Sequence, residues 1–341
     1  MKYFVCLIFS IWFLFSCEST DELSALPNQE LTLEVEEYYE NDNPFEHRNY
    51  LNDDIHNKAA SLGRLLFYDS RLSKNNSISC ANCHKQRSGF ADDSQFSAGL
   101  ENFKTSRNSM ALTNNLYQIS HFWEGHSGKV EDHILNPISN HIEMGMRSPA
   151  ELVSKLSEID DYNRLFDEVY GQEINEEIIR ISLGRFVSSI ISYNSKFDQG
   201  KNINFANFSI NELNGKEIFF GKAKCGECHS GDHYAATWRE TANIGLDEEY
   251  DDPGAGAGNF KIPTLRNIAL TSPYMHDGRF ETLEEVVNHY TSGVQENLSL
   301  DWVLRNDIDL SEVEKRMLVD FLHTLTDYEL INNEKFSNPF K

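Results

Sequence analysis

The residues of this chain with the most distinctive chemistry form two copies of the pattern Cys-x-x-Cys-His. The two copies supply Cys80, Cys83 and His84, and Cys225, Cys228 and His229. In such a pentapeptide two thiols can add across the vinyl groups of one haem, and the adjacent imidazole then binds the haem iron. The repetition therefore predicts two covalently bound c-type haems.

A single copy of this pattern could also be a chance match, or a redox-active Cys-x-x-Cys pair that happens to precede a histidine. Two copies in one chain disfavour both alternatives. The chain has six cysteines, and the remaining two, Cys6 and Cys17, lie close to the N-terminus. No cysteine of the predicted domains is therefore left to form a disulfide.

The N-terminal residues predict export. Lys2 is followed by an apolar run over residues 3–15, and Ser16 precedes Cys17. The run is too short to span a bilayer as a structural helix, and it resembles a lipoprotein signal over residues 1–16 in which Cys17 is acylated. Residues 17–44 are polar and predict a flexible tether. The expected location is the periplasm, with attachment to the membrane only through the lipid on Cys17.

The chain is strongly acidic. It has 54 acidic and 30 basic side chains, which gives a formal net charge of −24 at pH 7. This charge disfavours nucleic acid and anionic membrane surfaces as partners, because both are negatively charged. Solubility is the usual explanation of such a charge, and attraction of a basic protein partner is the alternative.

The hydrophobic spacing is helical almost throughout and predicts an all-α fold. Apolar residues recur at intervals of three and four, and few strand patterns occur. One predicted helix begins at residue 148, and the others cover residues 174–193, 209–220, 282–290 and 311–325. The segment 193–205 is polar without such a stripe and is predicted to link two halves. We expect two cytochrome c-like helical domains, over residues 45–197 and 198–341, with one haem each.

Several short motifs lie around the two predicted haem sites. They are Arg-Asn-Ser at 107–109, Phe-Trp-Glu-Gly at 122–125, Glu-Met-Gly at 143–145, Pro-Thr-Leu-Arg-Asn at 263–267 and Pro-Tyr-Met-His-Asp-Gly-Arg-Phe at 273–280. In this order they resemble the bacterial di-haem cytochrome c peroxidase and MauG family, over residues 45–327. The resemblance implies a fold of two cytochrome c-like domains, reaction with hydrogen peroxide at the N-terminal haem, and electron transfer by the C-terminal haem.

The resemblance gives roles to two residues between the haem sites. Glu143 matches the distal acid of the family, which moves a proton from one peroxide oxygen to the other while the O–O bond breaks. Trp123 matches the tryptophan that lies between the two haems and carries electrons. A glutamate is otherwise most often a solvated surface charge, and a tryptophan that is only a core residue of the interface would look the same in sequence. The motifs and their position are what support both roles.

Leu100 distinguishes this chain from the ordinary peroxidases of the family, whose N-terminal haem is capped by a distal histidine in the fully oxidised protein. The matching region is residues 96–101, and no histidine occurs between residues 85 and 116. Leucine cannot ligate iron. We therefore expect the N-terminal haem to be five-coordinate or water-ligated at rest, and ready for peroxide without prior reduction.

Tyr290 marks a second departure. Ordinary peroxidases place a methionine ligand fourteen residues after the histidine of the 273–280 motif, and the same count from His276 reaches Tyr290. MauG-type proteins have a tyrosine ligand here, an anionic donor that stabilises oxidised iron and lowers the reduction potential. Three alternatives stay open: ligation by the sulfur of Met275, ligation by His289, and packing of Tyr290 without a metal bond.

The resemblance also implies one calcium ion between the domains. Its protein ligands match the side chain of Asn108 and the backbone carbonyls of Thr271 and Pro273, with waters that complete an oxygen shell. Asparagine and threonine are equally good loop residues, so the resemblance is what supports this site.

Together these features predict a MauG-type oxidase that uses hydrogen peroxide, stores oxidising equivalents on its two haems and oxidises a partner at long range. The expected redox partner is a protein substrate, a small cytochrome or a cupredoxin. The alternative is an ordinary cytochrome c peroxidase, which reduces peroxide to water with electrons from a small cytochrome or copper protein. A non-catalytic electron-transfer cytochrome would need protein ligands on both faces of each haem, and the lack of a distal histidine near Leu100 disfavours it. Family peroxidases are often homodimers, although no residue here indicates dimerisation.

Overall fold

The computed structural model of the protein describes residues 54–231, 233–235 and 239–340. Within these residues the chain is predominantly helical, as the periodicity predicts. The α-helices are α1 (Asp54–Tyr68), α2 (Cys80–Cys83), α3 (Val130–His133), α4 (Asn136–Ser139), α5 (Pro149–Ser157), α6 (Asp160–Tyr170), α7 (Glu176–Ser189), α8 (Lys196–Lys201), α9 (Ile210–Phe220), α10 (Leu283–Asn288), α11 (Glu312–His323) and α12 (Tyr328–Asn332). Two short antiparallel pairs complete the fold, β1 (Ser120–His121) with β2 (His126–Ser127) and β3 (Thr241–Ala242) with β4 (Phe260–Lys261).

The predictions for the N-terminus lie outside the described residues. They concern the signal over residues 1–16, the acylation of Cys17 and the tether over residues 17–44. In the part of the chain that the structure describes, no helix has both the length and the apolar character that crossing a membrane requires.

Several helices begin where the sequence places capping residues. The Ser148 side chain accepts a hydrogen bond from Glu151 N, and Pro149 occupies the first position of α5. In three other helices a hydroxyl residue pairs reciprocally with a glutamate three residues later: Ser209 with Glu212, Thr282 with Glu285, and Ser311 with Glu314. These pairs satisfy N–H groups that the first helical turn leaves without partners. The starts of these helices therefore follow from local sequence.

Helix α7 ends at Ser189 although the predicted helix extends to residue 193. Beyond it, side chains from distant segments bind the backbone N–H groups. Asn114 Oδ1 accepts a hydrogen bond from Ser192 N at 2.6 Å, and Asp327 Oδ2 accepts one from Tyr193 N at 3.1 Å. These tertiary contacts fix a non-helical backbone where the apolar periodicity still favours a helix.

The segment 193–205 is not the irregular linker that its polar sequence predicts. It contains α8, which begins with a capping box between Ser195 and Asp198. Asp198 also forms a buried ion pair with Arg266, whose Nη1 lies 2.5 Å from Asp198 Oδ2. Removal of either partner would leave an uncompensated charge in the core, at a cost of about 3–5 kcal/mol. The hydrophobic pattern does not predict helix α8, because an ion pair holds this helix in place and not a hydrophobic stripe.

Two pairs of helices cross at a glycine, in the same manner in both halves. Helix α1 crosses α7, and helix α9 crosses α11. A Cβ added at Gly63 would lie 1.9 Å from Ser182 O, and one added at Gly215 would lie 1.9 Å from Met317 O. In both cases a phenylalanine one helical turn beyond the contacted carbonyl also packs on the glycine. The backbones of each pair are therefore in direct contact.

Each half has its own hydrophobic core, and the C-terminal tail belongs to the first. The first core includes α1, α5, α6 and α7, and the second includes α9, α10 and α11. Leu330 and Phe336 pack into the first core. Arg64 fixes this tail, because its guanidinium donates to Glu334 O and to Ser337 O, each at 2.7 Å. The tail, which the sequence predicts to belong to the second domain, therefore returns to the first core.

Replacement of Gly215 by alanine should overpack the crossing of α9 and α11 and lower the free energy of unfolding by about 3 kcal/mol. Chemical denaturation of the haem-loaded protein measures this loss. Gly171→Ala is the matched control, because nothing lies within 4 Å of its added Cβ. Only its left-handed backbone should contribute, at about 1 kcal/mol. Equal losses in the two variants would contradict a tight crossing.

Candidate haem sites

The first Cys-x-x-Cys-His copy forms the short helix α2 and the residue after it. Asn82 Oδ1 accepts a hydrogen bond from Ser79 N at 2.8 Å, which fixes the start of this turn. The ring of His84 is oriented by its Nδ1, which donates to the carbonyl oxygens of Phe90 and Met110, each at 3.1 Å. Nε2 therefore keeps its lone pair, as a ligand of haem iron requires.

The second copy is built in the same way. His229 Nδ1 donates to Tyr234 O at 3.2 Å and to Pro263 O at 3.1 Å. Burial lowers the pKa of His229 to about 4, and burial also lowers the pKa of His84. Both imidazoles are therefore neutral at pH 7, with Nδ1 protonated and Nε2 available to a metal.

The thiols of both copies are largely shielded from solvent, and burial is the largest cause of the raised pKa of each one. Burial raises the pKa of Cys80 to about 12, that of Cys83 to about 11 and that of Cys225 to about 12. A redox-active Cys-x-x-Cys pair has the opposite property, because its attacking thiol has a lowered pKa. The surroundings therefore disfavour the redox-pair alternative.

A large cavity opens beside the second copy, and its lining suits a planar apolar group. Cys225, Cys228 and His229 line it. Most of the remaining lining is apolar and includes Phe219, Ala223, Ile244, Leu283, Val287, Val303, Leu318 and Leu322. Two thiols, one neutral imidazole and an apolar slot are what a c-type haem needs. The residues present therefore fit the cofactor that the sequence predicts.

Tyr290 lines the same cavity, in a π-helical turn that continues α10. Burial raises the pKa of its phenol, and the neighbouring Cys228 and Cys225 raise it further. The phenol therefore lies near the thiol pair. A π-helical turn has an extra residue, so it changes which side chains of a helix face inward, and such turns are frequent at functional sites.

The two alternative ligands, His289 and Met275, differ in position. His289 is absent from the cavity lining, and its Nε2 donates to Ile244 O at 2.9 Å. Met275 lines the cavity together with Tyr290. The structure thus disfavours His289, and ligation by Tyr290 stays a prediction with Met275 as its competitor.

Leu100 packs against the segment that contains Glu143, with only 7% of its surface exposed. Its backbone N–H group donates to Ile142 O at 2.8 Å and to Glu143 O at 2.9 Å. The two segments are so close that a Cβ on Gly99 would lie 2.1 Å from Ile142 O. A Cβ on Gly145 would lie 2.5 Å from the Leu100 side chain. Leu100, which the resemblance predicts to replace a distal histidine, is therefore a packed apolar side chain.

Glu143 lies near the first thiol pair. After burial, its charge is one of the influences that raise the pKa of Cys80 and of Cys83. Asn140 Nδ2 donates to Glu143 Oε1 at 2.8 Å and orients the carboxyl group. Burial raises the pKa of Glu143 above its ordinary value, as at many sites of proton transfer. The structure therefore brings together Glu143, Leu100 and the first Cys-x-x-Cys-His copy.

Trp123, a residue of the first half, lies at the second cavity. Its Nε1 donates to Asn108 O at 2.8 Å, and its carbonyl accepts a hydrogen bond from Lys261 N at 2.9 Å. The indole meets the rings of Phe260 and His276 edge-on, with centroids 6.4 Å apart in each case. An aromatic group is thus held where the two halves meet. We call this contact region, around Asn108, Trp123 and Lys261, the seam between the halves.

Known proteins match this chain over most of its length. A family model described as di-haem cytochrome c peroxidase matches residues 57–203. The chain is 31% identical to the methylamine utilization protein MauG of Methylorubrum extorquens, over 79% of this chain and 78% of that protein. It is 32% identical to the cytochrome c551 peroxidase of Nitrosomonas europaea, over 78% of this chain and 79% of that protein. The chain belongs to the di-haem cytochrome c peroxidase family.

A solved structure of the family agrees with the fold. The crystal structure of a MauG-like protein associated with microbial copper homeostasis has a TM-score of 0.75 and 31% identity, over 83% of this chain and 93% of that chain. Family membership confirms the predicted class, an oxidoreductase of the peroxidase type with two haems. The identities to a MauG and to a peroxidase are nearly equal, so they do not separate the two predicted functions.

The three predicted calcium ligands, Asn108, Thr271 and Pro273, all line the second cavity. Asn108 Nδ2 donates to Ser94 O at 3.1 Å, which leaves the amide oxygen for another partner. Within the described residues, neither the amide oxygen nor the carbonyls of Thr271 and Pro273 accept a hydrogen bond. Such oxygens suit Ca²⁺, and the calcium site stays a prediction. The described residues form no metal site from three or more His, Cys, Asp or Glu side chains.

Arg107 organises the seam between the halves, a role that the sequence did not predict. Its Nε and Nη2 donate to the two carboxylate oxygens of Asp252, each at 2.7 Å. Its Nη1 donates to Glu124, the residue after Trp123. Its partner Asp252 lies 145 residues further along the chain, so no local pattern indicates this contact. The only sequence signal for Arg107 was its place in the 107–109 motif.

Arg239 was also missed, and it contacts the second thiol pair directly. Its Nη2 donates to Cys228 Sγ at 2.6 Å, and its Nη1 forms an ion pair with Asp301. No local pattern marks this arginine, because its contacts depend on how the loops around the cavity fold.

Replacement of both Cys225 and Cys228 by alanine should remove one covalent haem and leave the other. The haem content per chain, measured by the pyridine haemochrome spectrum and by intact mass, should fall to about half. The reciprocal variant, Cys80→Ala with Cys83→Ala, is the matched control and should also keep one haem. Two covalent haems in either variant would contradict the assignment of the sites.

Proposed function

We propose that the protein is a periplasmic, lipid-anchored oxidase of the MauG type, with one covalent haem in each of two cytochrome c-like domains. The haems supply the redox chemistry, which is reduction of hydrogen peroxide by two electrons and storage of the resulting oxidising equivalents. Two observations together support the proposal: Leu100 packs against Glu143 at the first site, and Tyr290 lines the cavity of the second.

At the first site the side chains favour direct reaction with peroxide. Leu100 offers no ligating atom, so peroxide would not have to displace a protein ligand from the iron. Glu143, oriented by Asn140, can take a proton from one peroxide oxygen and return it to the other. Because burial raises the pKa of Glu143, its ionised carboxylate is a stronger base than an ordinary exposed one and takes the peroxide proton more readily.

At the second site Tyr290 offers a phenol oxygen. A phenolate is a hard, anionic donor that favours oxidised iron, whereas a methionine sulfur favours reduced iron. Burial raises the pKa of the Tyr290 phenol, and a bound metal cation would favour loss of the proton. This site is therefore suited to holding an oxidising equivalent until the substrate arrives.

Trp123 is the aromatic group that we propose for electron exchange between the two sites. Arg107 stiffens its surroundings, because it joins Asp252 of the second half to Glu124, the neighbour of Trp123. One calcium ion, bound by Asn108 and by the carbonyls predicted above, would brace the same seam.

The redox partner would meet the protein beside the second cavity, at Trp302. This side chain is 56% exposed, and the two residues after it line the cavity. The preceding Asp301 pairs with Arg239, which donates to Cys228 Sγ. The neighbouring segments carry exposed acidic residues, which are Glu248, Glu249, Asp251, Glu296, Asp307 and Asp309. This charge suits a basic protein partner.

Mixing the fully oxidised protein with one equivalent of hydrogen peroxide should give a long-lived species that holds two oxidising equivalents. Stopped-flow spectra follow its formation, and titration with a one-electron reductant counts the equivalents. No prior reduction should be needed, because Leu100 provides no ligand that must leave. A requirement for one-electron reduction before peroxide reacts would contradict the proposal.

Tyr290→Met is the matched variant for this experiment. A thioether in place of the phenol should raise the reduction potential of the haem at His229 and shorten the lifetime of the oxidised species. The haem at His84 is the internal control, since its potential should not change. Unchanged potentials at both haems would show that Tyr290 packs in the cavity without binding iron.

Glu143→Gln should lower the rate of reaction with peroxide by about 10²–10⁴-fold, because an amide cannot accept the proton. In the wild type the rate should fall as the pH drops through the pKa of Glu143, because only the ionised carboxylate is a base. Burial raises this pKa, so the fall should occur at a higher pH than for an ordinary glutamate. The pH profile of the second-order rate constant measures both effects. Glu101→Gln, at an exposed carboxylate beside Leu100, is the control, and an equal loss there would refute the role.

An ordinary cytochrome c peroxidase is the second candidate function, because the 32% identity to the cytochrome c551 peroxidase of Nitrosomonas europaea is nearly equal to the 31% identity to MauG. Glu143 and Trp123 would serve either function. Steady-state turnover with a reduced small cytochrome separates the two. Rapid turnover supports removal of peroxide, whereas slow turnover with a persistent oxidised species supports oxidation of a protein substrate.

A further inference from the structure

Lys261 is a buried lysine that the proposed chemistry does not use. It lies on β4, opposite Thr241 of β3, and its backbone N–H group donates to Trp123 O at 2.9 Å. Only 5% of its surface is exposed, and it lines the second cavity. A cation is thus enclosed where the second haem site meets the first half of the chain.

The ammonium group of Lys261 has no carboxylate partner in the described part of the chain. Its hydrogen-bond acceptor is Gln118 Oε1, a neutral amide that is itself buried. Burial alone lowers the pKa of Lys261 to about 7. A buried charge without a counter-charge is costly, and proteins normally pair such a group or neutralise it. The enclosed lysine therefore requires an explanation.

The other charged groups around this cavity are already satisfied or exposed. Asp301 pairs with Arg239, and Arg107 pairs with Asp252 and Glu124. Lys224, next to Cys225, is partly exposed to solvent. Among the described residues that line the cavity, Lys261 is therefore the buried cation that lacks an anion.

A haem carries two propionate carboxylates, on the edge of the macrocycle opposite the vinyl groups that cysteines capture. Cys225 and Cys228 would fix the vinyl edge, so the propionates would point away from the thiol pair. We propose that Lys261 forms an ion pair with a propionate of the second haem and fastens that edge of the haem to the seam between the halves. Lys261 is then a positioning residue, and its charge favours the reduced state of this haem.

This arrangement would explain the position of Gln118. The amide belongs to the first half and is 2% exposed, and its Nε2 donates to Thr113 O at 3.4 Å. It holds the lysine side chain at the seam while leaving two of the three ammonium protons for carboxylate oxygens. The first half would thus influence the second haem through the side chains of Gln118 and Lys261, in addition to the indole of Trp123.

Lys261→Gln should shift the reduction potential of the haem at His229 to a lower value, because loss of a nearby positive charge favours ferric iron. Lys261→Arg keeps the charge and should stay close to the wild-type potential. Spectroelectrochemical titration of the holoprotein measures both haems, and the haem at His84 should be unaffected. Resonance Raman propionate bending modes of the second haem should shift in Lys261→Gln and not in Lys261→Arg. Full haem content with unchanged potential and unchanged bending modes would overturn the proposal.

A crystal structure of the wild-type holoprotein tests the same idea without any variant. Lys261 Nζ should lie within salt-bridge distance of a propionate oxygen, and a lysine bound only to Gln118 with both propionates elsewhere would overturn the inference. The inference rests on the proposed haem at the second Cys-x-x-Cys-His copy and not on the reaction with peroxide. Its readouts are a potential, a vibrational spectrum and a distance, so its failure can be told apart from failure of the proposed oxidase activity.

Discussion

The structure depends on how the backbone holds two imidazole rings. Each Nδ1 donates to one carbonyl from a nearby turn and to one from a distant segment, which is Met110 for His84 and Pro263 for His229. The distant carbonyl reaches the ring only when the whole half has folded, so a correctly oriented ligand nitrogen reports a completed domain. The same two segments carry other residues of the seam, namely Asn108 and Lys261. Orientation of the two imidazoles therefore depends on the same segments that join the halves.

The two halves repeat one design and then diverge. In each, a glycine lets two helices touch backbone to backbone, at Gly63 and at Gly215, and a Cys-x-x-Cys-His copy follows the first helix of the pair. Both Cys-x-x-Cys-His sites therefore lie beside equivalent pairs of crossing helices. Differences in chemistry between the two sites must come from the side chains around them. Those differences are large: a carboxyl group and Leu100 at the first site, and a phenol with a buried lysine at the second.

Local sequence predicted much of this frame, because caps and apolar stripes act over short distances. The starts of α5, α9, α10 and α11 follow from a hydroxyl or proline at the right position. The sequence misplaced elements that depend on partners far along the chain. The end of α7 is set by Asn114 and Asp327, helix α8 is anchored by Arg266, and the tail returns to the first core through Arg64. A single sequence contains no local signal for such contacts.

The candidate site shows the same division. The two Cys-x-x-Cys-His motifs consist of consecutive residues, so the sequence alone identifies them. The position fourteen residues after His276 is Tyr290, which lines the cavity beside the second motif. The π-helical turn that presents Tyr290 was not predictable from a regular helical period, since the turn interrupts that period. Arg107 and Arg239 were missed because their partners, Asp252 and Asp301, belong to loops that approach only in the folded protein.

Single substitutions near the haem sites can change the chemistry of a protein of this family without altering its fold. Leu100 packs so closely on Gly145 that a Cβ added at Gly145 would lie 2.5 Å from the Leu100 side chain. Packing therefore stabilises the loop that contains Leu100, and this loop needs no bond to a metal to keep its shape. Tyr290 lies on one turn after α10, where a different side chain could occupy the same place without moving the core helices. Fold similarity therefore cannot separate an oxidase that stores oxidising power from a peroxidase that discharges it. Under the proposed function, the distinction would reside in which atoms the side chains at positions 100 and 290 offer to the iron, and a single substitution at either position could change it.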